Sequence, residues 1–139
     1  MDNSKLGEEV WCRHISGMRA LEQLIDLSGT RGESGVLLFL YHANRPAHPG
    51  ELTEKLGLTT GRIANILKVL EQSGLIERTA DASDRRRVQV ALTPQGEEAA
   101  RTRHEAAMRG HACLIDRMDG REAALREALG LLAQACKPL

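Results

Sequence analysis

The chain has 139 residues, 42% hydrophobic and 27% charged, with 19 basic side chains against 19 acidic ones and a formal net charge of zero. That balance suits one soluble globular domain, or a domain with a dimerisation extension, and lacks the basic excess of an RNA-coating or chromatin-type protein. Cys12, Cys113 and Cys136 form no CxxC or CxxH pair, which argues against a disulfide framework or zinc finger and for a reducing, cytoplasmic setting.

Residues 5–28 carry Leu6, Val10, Trp11, Ile15, Met18, Leu21, Leu24, Ile25 and Leu27 mainly three and four apart, which predicts an amphipathic helix capped by Gly29. Residues 33–43, ESGVLLFLYHA, are almost wholly apolar. Composition allows a strand there, but the flanking turn signals and following helices favour a buried helix. Asn44 to His48 reads as a loop, and Pro49 suits the first turn of a helix that runs to about Leu56 and ends at Gly57. Leu58-Thr59 reads as a turn, with Thr59 or Thr60 capping a helix over roughly 60–73 that Gly74 terminates.

Residues 75–93, LIERTADASDRRRVQVALT, follow the period of a half-buried hairpin. Leu75, Ile76 and Arg78 open one run, and Val88, Val90 and Leu92 alternate with Gln89 and Ala91 in the other. Thr93, Pro94 and Glu97 then start a helix to about residue 118, which Asp119-Gly120 breaks. A last helix covers about 121–136, with Ala124, Leu125, Ala128, Leu129, Leu132 and Cys136 on one side. No run of 18 apolar residues occurs, so no membrane span is expected. The first ten residues lack the basic and apolar regions of a signal peptide.

The expected fold is mainly α with a small β-hairpin wing. It comprises an N-terminal dimerisation helix (1–30), a winged helix-turn-helix DNA-binding domain (31–93) and C-terminal dimerisation helices (94–139). The end helices carry more apolar surface than the small centre can bury, which points to a homodimer.

The helix over 60–73 divides into two faces. Ile63, Ile66, Leu67 and Leu70 share the spacing of a core face, while Thr60, Gly61, Arg62, Ala64, Asn65 and Lys68 lie opposite. Gly61 and Ala64 are small enough to let the helix sink into a major groove. Arg62 can pair with guanine and Asn65 with adenine. Thr59, Thr60 and Lys68 suit phosphates. A solvated helix face is the plainer alternative for this segment alone. The hairpin shifts the balance, because Asp81-Ala82-Ser83-Asp84 leads into Arg85, Arg86 and Arg87, and residues 78–87 hold four arginines and two aspartates. A local basic stripe on a neutral protein fits a small double-stranded DNA footprint.

PGELTEKLGLTTGRIANILKVLEQSGLIERTADASDRRRVQVALTPQG, about residues 49–96, resembles the winged helix-turn-helix core of the MarR family of bacterial transcription regulators. The strongest markers are LEQSGLIER and D-x-x-D-R-R-R followed by V-x-V-x-L-T-x-x-G. The resemblance implies an obligate dimer built from the first and last two helices. It also implies recognition helices in successive major grooves of a pseudo-palindromic operator and wings in the flanking minor grooves. Asp84 and Arg86 match the family's acidic–basic wing pair, so Arg86 is expected to enter the minor groove and Asp84 to steady the turn. Arg85 and Arg87 are expected to contact phosphate or stay exposed. Repression is the expected outcome, and activation stays open.

Members of that family often sense phenolic ligands, oxidants or metals, so an unknown small-molecule effector between the winged domain and the dimer helices is part of the expectation. Cys12 lies where oxidant-sensing members keep a reactive cysteine, but their tyrosine partners are missing, and it is expected to be buried or inert. Cys113 and Cys136 read as core. His104 and His111 share a helix face near Cys113 without metal-site spacing, so neither a metal nor a cofactor is expected. His14 and His42 read as ordinary helix residues. No Gly-rich phosphate loop, nucleophile elbow or recognisable carboxylate pair suggests an enzyme. A winged helix that binds a protein partner is the alternative from another class, and Arg86 and Asn65 argue against it.

Overall fold

A computed structural model describes residues 2–24 and 32–135. The elements in chain order are α1 (Asn3–Leu24), α2 (Glu33–Ala43), α3 (Pro49–Leu56), α4 (Thr60–Gln72), β1 (Ile76–Ala80), β2 (Val88–Leu92), α5 (Pro94–Asp116) and α6 (Glu122–Ala135). They fall into two compact units, one of residues 26–107 and one of residues 1–25 with 108–139. The expected mainly helical fold with a hairpin wing is the fold found.

In the unit of residues 26–107, the apolar run 33–43 is helical. Val36, Leu37 and Leu40 are buried there, and Asn44 ends the helix in the left-handed conformation, its N–H returning to the Leu40 carbonyl. Pro49 opens α3 and Gly57 closes it at φ 62°, a conformation glycine adopts without strain. Leu52 of α3 and Ile63, Ile66, Leu67 and Leu70 of α4 join the α2 residues in one core with Ile76, Val90 and Ala100.

β1 and β2 pair antiparallel, from Ile76 opposite Leu92 to Ala80 opposite Val88. The segment Asn44–His48, read from sequence as a plain loop, is tied to this hairpin. Ala47 and Val90 exchange both backbone hydrogen bonds, at 3.0 and 2.8 Å, and Ala47 is buried. The start of α5 is locked to the end of α4. The Thr93 hydroxyl donates to the Gly74 carbonyl at 2.6 Å and accepts from the Gly96 N–H at 3.0 Å. A Cβ at Gly96 would lie 1.8 Å from the Leu75 carbonyl oxygen, so this close approach needs glycine.

The other unit contains α1, the last part of α5 and α6. Residues 25–28 and Gly29, assigned from sequence to the end of the first helix and its cap, lie outside the described residues, as does Cys136. Helix α5 ends at Asp116, two residues before the sequence limit, and Asp119 and Gly120 take positive φ of 50° and 77° in the break that follows. Among the described residues α6 buries none. Trp11 is 64% exposed, Leu129 57% and Leu132 60%. Met18, Leu21, Leu114, Met118, Leu125 and Leu129 line an open, mainly apolar cleft in this unit.

Candidate nucleic-acid interface

The interface begins at the cap of α4. Thr59 is extended, and its hydroxyl oxygen accepts the Arg62 backbone N–H at 3.3 Å. Of the two capping threonines the sequence allowed, Thr59 is the one used. The burial of Ile63, Ile66, Leu67 and Leu70 fixes the rotation of the helix about its axis. Thr60, Gly61, Arg62, Ala64, Asn65 and Lys68 are consequently exposed. Nothing lies within 4 Å of the position a Cβ would take at Gly61, so open space surrounds this small residue.

The wing is the second component. Its tip, residues 81–87, is closed at the neck by the Asp81 N–H donating to the Arg87 carbonyl at 2.8 Å. Two aspartate turns shape it. The Asp81 carboxylate accepts the Ser83 N–H and hydroxyl at 2.8 and 2.7 Å. The Asp84 carboxylate accepts the Arg86 backbone N–H at 3.0 Å, and the Asp84 carbonyl accepts the Arg87 N–H at 2.9 Å. Arg85, Arg86 and Arg87 are exposed on this loop. The fourth arginine of the stripe, Arg78, is placed differently. It lies on β1 and pairs with Glu71 of α4 at 3.2 Å, so the basic set at the tip is three residues.

Sequence reasoning missed Asp81 as more than a turn residue. It is the one buried polar or charged side chain among the described residues, 6% exposed. The two Ser83 hydrogen bonds, helped by Gln89 and His48, hold its carboxyl down to about 2 against the opposing effect of burial. The Asp-x-Ser spacing was the available signal. His48 was missed as well. Its Nε2 lies 3.0 Å from Asp81 Oδ2 and its Nδ1 2.9 Å from the Val88 carbonyl oxygen.

The remaining candidates are dispersed. His104 packs edge-on against His42, ring centres 4.9 Å apart, with Tyr41 5.6–5.7 Å from both, so His42 belongs to a ring cluster. Among the described residues no group of three or more His, Cys, Asp or Glu side chains is placed to hold a metal ion. Cys12, expected to be buried or inert, is exposed, because no described element of this chain covers its face of α1. Cys113 is half-buried. No helix among the described residues is long and apolar enough to cross a membrane.

A helix-turn-helix with a basic hairpin packed beside it defines a winged-helix protein. Residues 25–87 match the MarR family, whose members are transcriptional regulators that bind DNA. Solved structures agree on the fold. The transcriptional regulator BldR from Sulfolobus solfataricus is 18% identical, with 96% of this chain and 99% of that one covered and a TM-score of 0.69. MepR, a transcription regulator of the Staphylococcus aureus multidrug efflux pump MepA, is 19% identical, with 92% and 98% covered and a TM-score of 0.67. A probable transcriptional regulator from Pseudomonas aeruginosa is 26% identical over 72% of this chain and 74% of that one, with a TM-score of 0.58. The search of curated proteins gave no match. The family and these neighbours are regulators, not enzymes.

Proposed function

We propose that a homodimer of this chain binds a pseudo-palindromic operator and represses transcription from it. Each protomer sets the outer face of α4 in a major groove and its wing in the flanking minor groove. The observation that carries the reading is the pairing, in one unit, of an exposed polar helix face and an ordered loop of three exposed arginines.

The chemistry of each residue supports its place. Arg62 offers a guanidinium fork to guanine, and Asn65 a donor–acceptor pair to adenine. Thr59 caps α4 through an oxygen lone pair, which leaves its O–H free to donate to phosphate. Thr60 and Lys68 flank the reading residues as further phosphate contacts. Arg86 enters the minor groove, where negative potential is concentrated. Asp84 holds the backbone that presents it, and Arg85 and Arg87 meet phosphates.

Dimerisation is supported by the open apolar surface of α1 and α6. Burying a leucine such as Leu129 or Leu132 contributes about 1.5–3 kcal/mol, enough in aggregate to stabilise a symmetric interface. Response to a small-molecule effector belongs to the same reading. In the winged unit an open cleft lined by Tyr41, His42, Arg45 and Glu97 presents rings and charged groups to such a ligand.

The test is a gel shift followed by footprinting on the DNA beside the chain's own gene. The expected result is protection of two half-sites about one helical turn, ~10 base pairs, apart. Absence of duplex binding would support a protein-binding winged helix instead, and protection of one isolated half-site would contradict the dimer.

A further inference from the structure

We propose that His48 is a positioning residue for DNA binding, a doubly protonated clamp across the neck of the wing that makes operator affinity fall as the pH rises. The inference rests on the wing's part in the proposed DNA contact.

The geometry is specific. His48 precedes α3, forty residues from Val88 in sequence, and its neighbour Ala47 is fixed to Val90 by two backbone hydrogen bonds. The imidazole therefore has little freedom to move away from the hairpin. Its two nitrogens meet the two ends of the arginine loop. Nε2 faces Asp81 Oδ2 at 3.0 Å where the loop begins, and Nδ1 faces the Val88 carbonyl oxygen at 2.9 Å where it ends.

Both partners are acceptors. A carbonyl oxygen cannot donate, and the Asp81 carboxyl, held down to about 2, carries no proton at neutral pH. A neutral imidazole has one N–H and one lone pair. Either neutral tautomer would set that lone pair against an oxygen lone pair at about 3 Å. Only the imidazolium donates at both positions. When the ring gives a proton to water, one of the two bonds is lost and the loop is held from one end.

The other groups around the ring leave this logic intact. Glu51 in the first turn of α3 is the second carboxylate near His48, and it is engaged bidentately by Arg45. From the hairpin, Gln89 and Ser83 serve Asp81 as further donors, so neither supplies the ring with a donor partner. The remainder of the ring is mostly shielded, with 29% of the side chain exposed.

The test uses the full-length protein, a labelled operator duplex and anisotropy titrations at fixed ionic strength from about pH 6 to pH 8. Wild-type affinity is expected to fall about five- to tenfold across that range. His48→Gln, which keeps a donor without a titrating ring, should be nearly flat, and Asp81→Asn should lose most of the slope. In parallel, nitrogen-15 NMR of the free wild-type protein should show two hydrogen-bonded ring N–H protons for His48 at the acidic end and one at the basic end. A wild-type slope retained in both variants would overturn the proposal. So would a His48 ring without two protected N–H protons at the acidic end. The NMR measurement needs neither a variant that folds nor DNA. If no duplex is bound at any pH but the two ring protons are present, the DNA reading fails while the clamp stands.

Discussion

Gly96→Ala places a methyl group where the chain has no room. The added Cβ would lie 1.8 Å from the Leu75 carbonyl oxygen and 2.8 Å from its carbon. An ordinary carbon–oxygen contact is about 3.3 Å or more, so α5 or the end of α4 must move by about 1.5 Å. The obstructing atom cannot swing aside, because it accepts the Thr93 N–H at 3.1 Å while the Leu75 N–H is bonded to the Leu70 carbonyl at 3.0 Å. The shift also strains the Thr93 cap, which accepts the Gly96 N–H. Alanine gains about 1 kcal/mol of helix propensity. Overpacking costs about 1–3 kcal/mol, and the weakened cap about another 1 kcal/mol. A net loss of about 2 kcal/mol is expected, a fall of about 8–16 °C in Tm for a unit of this size. Gly50→Ala is the control, since nothing lies within 4 Å of its Cβ position in α3. Thermal and urea unfolding followed by circular dichroism compare the two. A Gly96→Ala protein as stable as Gly50→Ala would refute the close-approach argument.

Arg86→Ala should weaken operator binding more than Arg85→Ala or Arg87→Ala, whereas a generic basic patch would make all three alike. Asp84→Ala should also weaken binding at fixed salt, because it releases the Arg86 backbone; tighter binding would favour simple charge attraction. Asp81 has its carboxyl depressed from 3.8 to about 2 in the fold, so its stabilising contribution is fully present above 3.8 and is lost as pH falls through about 2. Asp81→Asn should accordingly flatten the acid limb of the stability curve over that interval, measured by urea unfolding at stepped pH. Leu129→Glu combined with Leu132→Glu should shift the mass in light scattering from two chains to one at micromolar concentration, and an unchanged mass would move the interface elsewhere.

Local pattern made much of this molecule legible. The spacing of Ile63, Ile66, Leu67 and Leu70 told which side of α4 turns inward, and the alternation of Val88, Val90 and Leu92 marked β2. Thr59 and Thr93 announced the helix starts through their own hydroxyls. What stayed hidden depends on residues far apart in sequence. Nothing in NRPAH signals that Ala47 pairs with Val90 or that His48 reaches the wing, because both contacts exist only once α2 and the hairpin are packed together. Arg78 looked like a member of the basic stripe until Glu71, on the preceding helix, was seen to pair with it. The exposure of Cys12 was equally illegible, since an amphipathic pattern does not say whether its own chain supplies the cover.

The outer face of α4 as the reader of DNA sequence is tested most directly by selecting operators from randomised duplexes with wild type, Arg62→Ala, Asn65→Ala and Lys68→Ala. The account predicts that Arg62→Ala and Asn65→Ala each lose about 1–3 kcal/mol and relax preference at different base pairs. Lys68→Ala should weaken every sequence about equally, with a shallower salt dependence. Unchanged preferences at every position in Arg62→Ala and Asn65→Ala would show that another surface reads the bases.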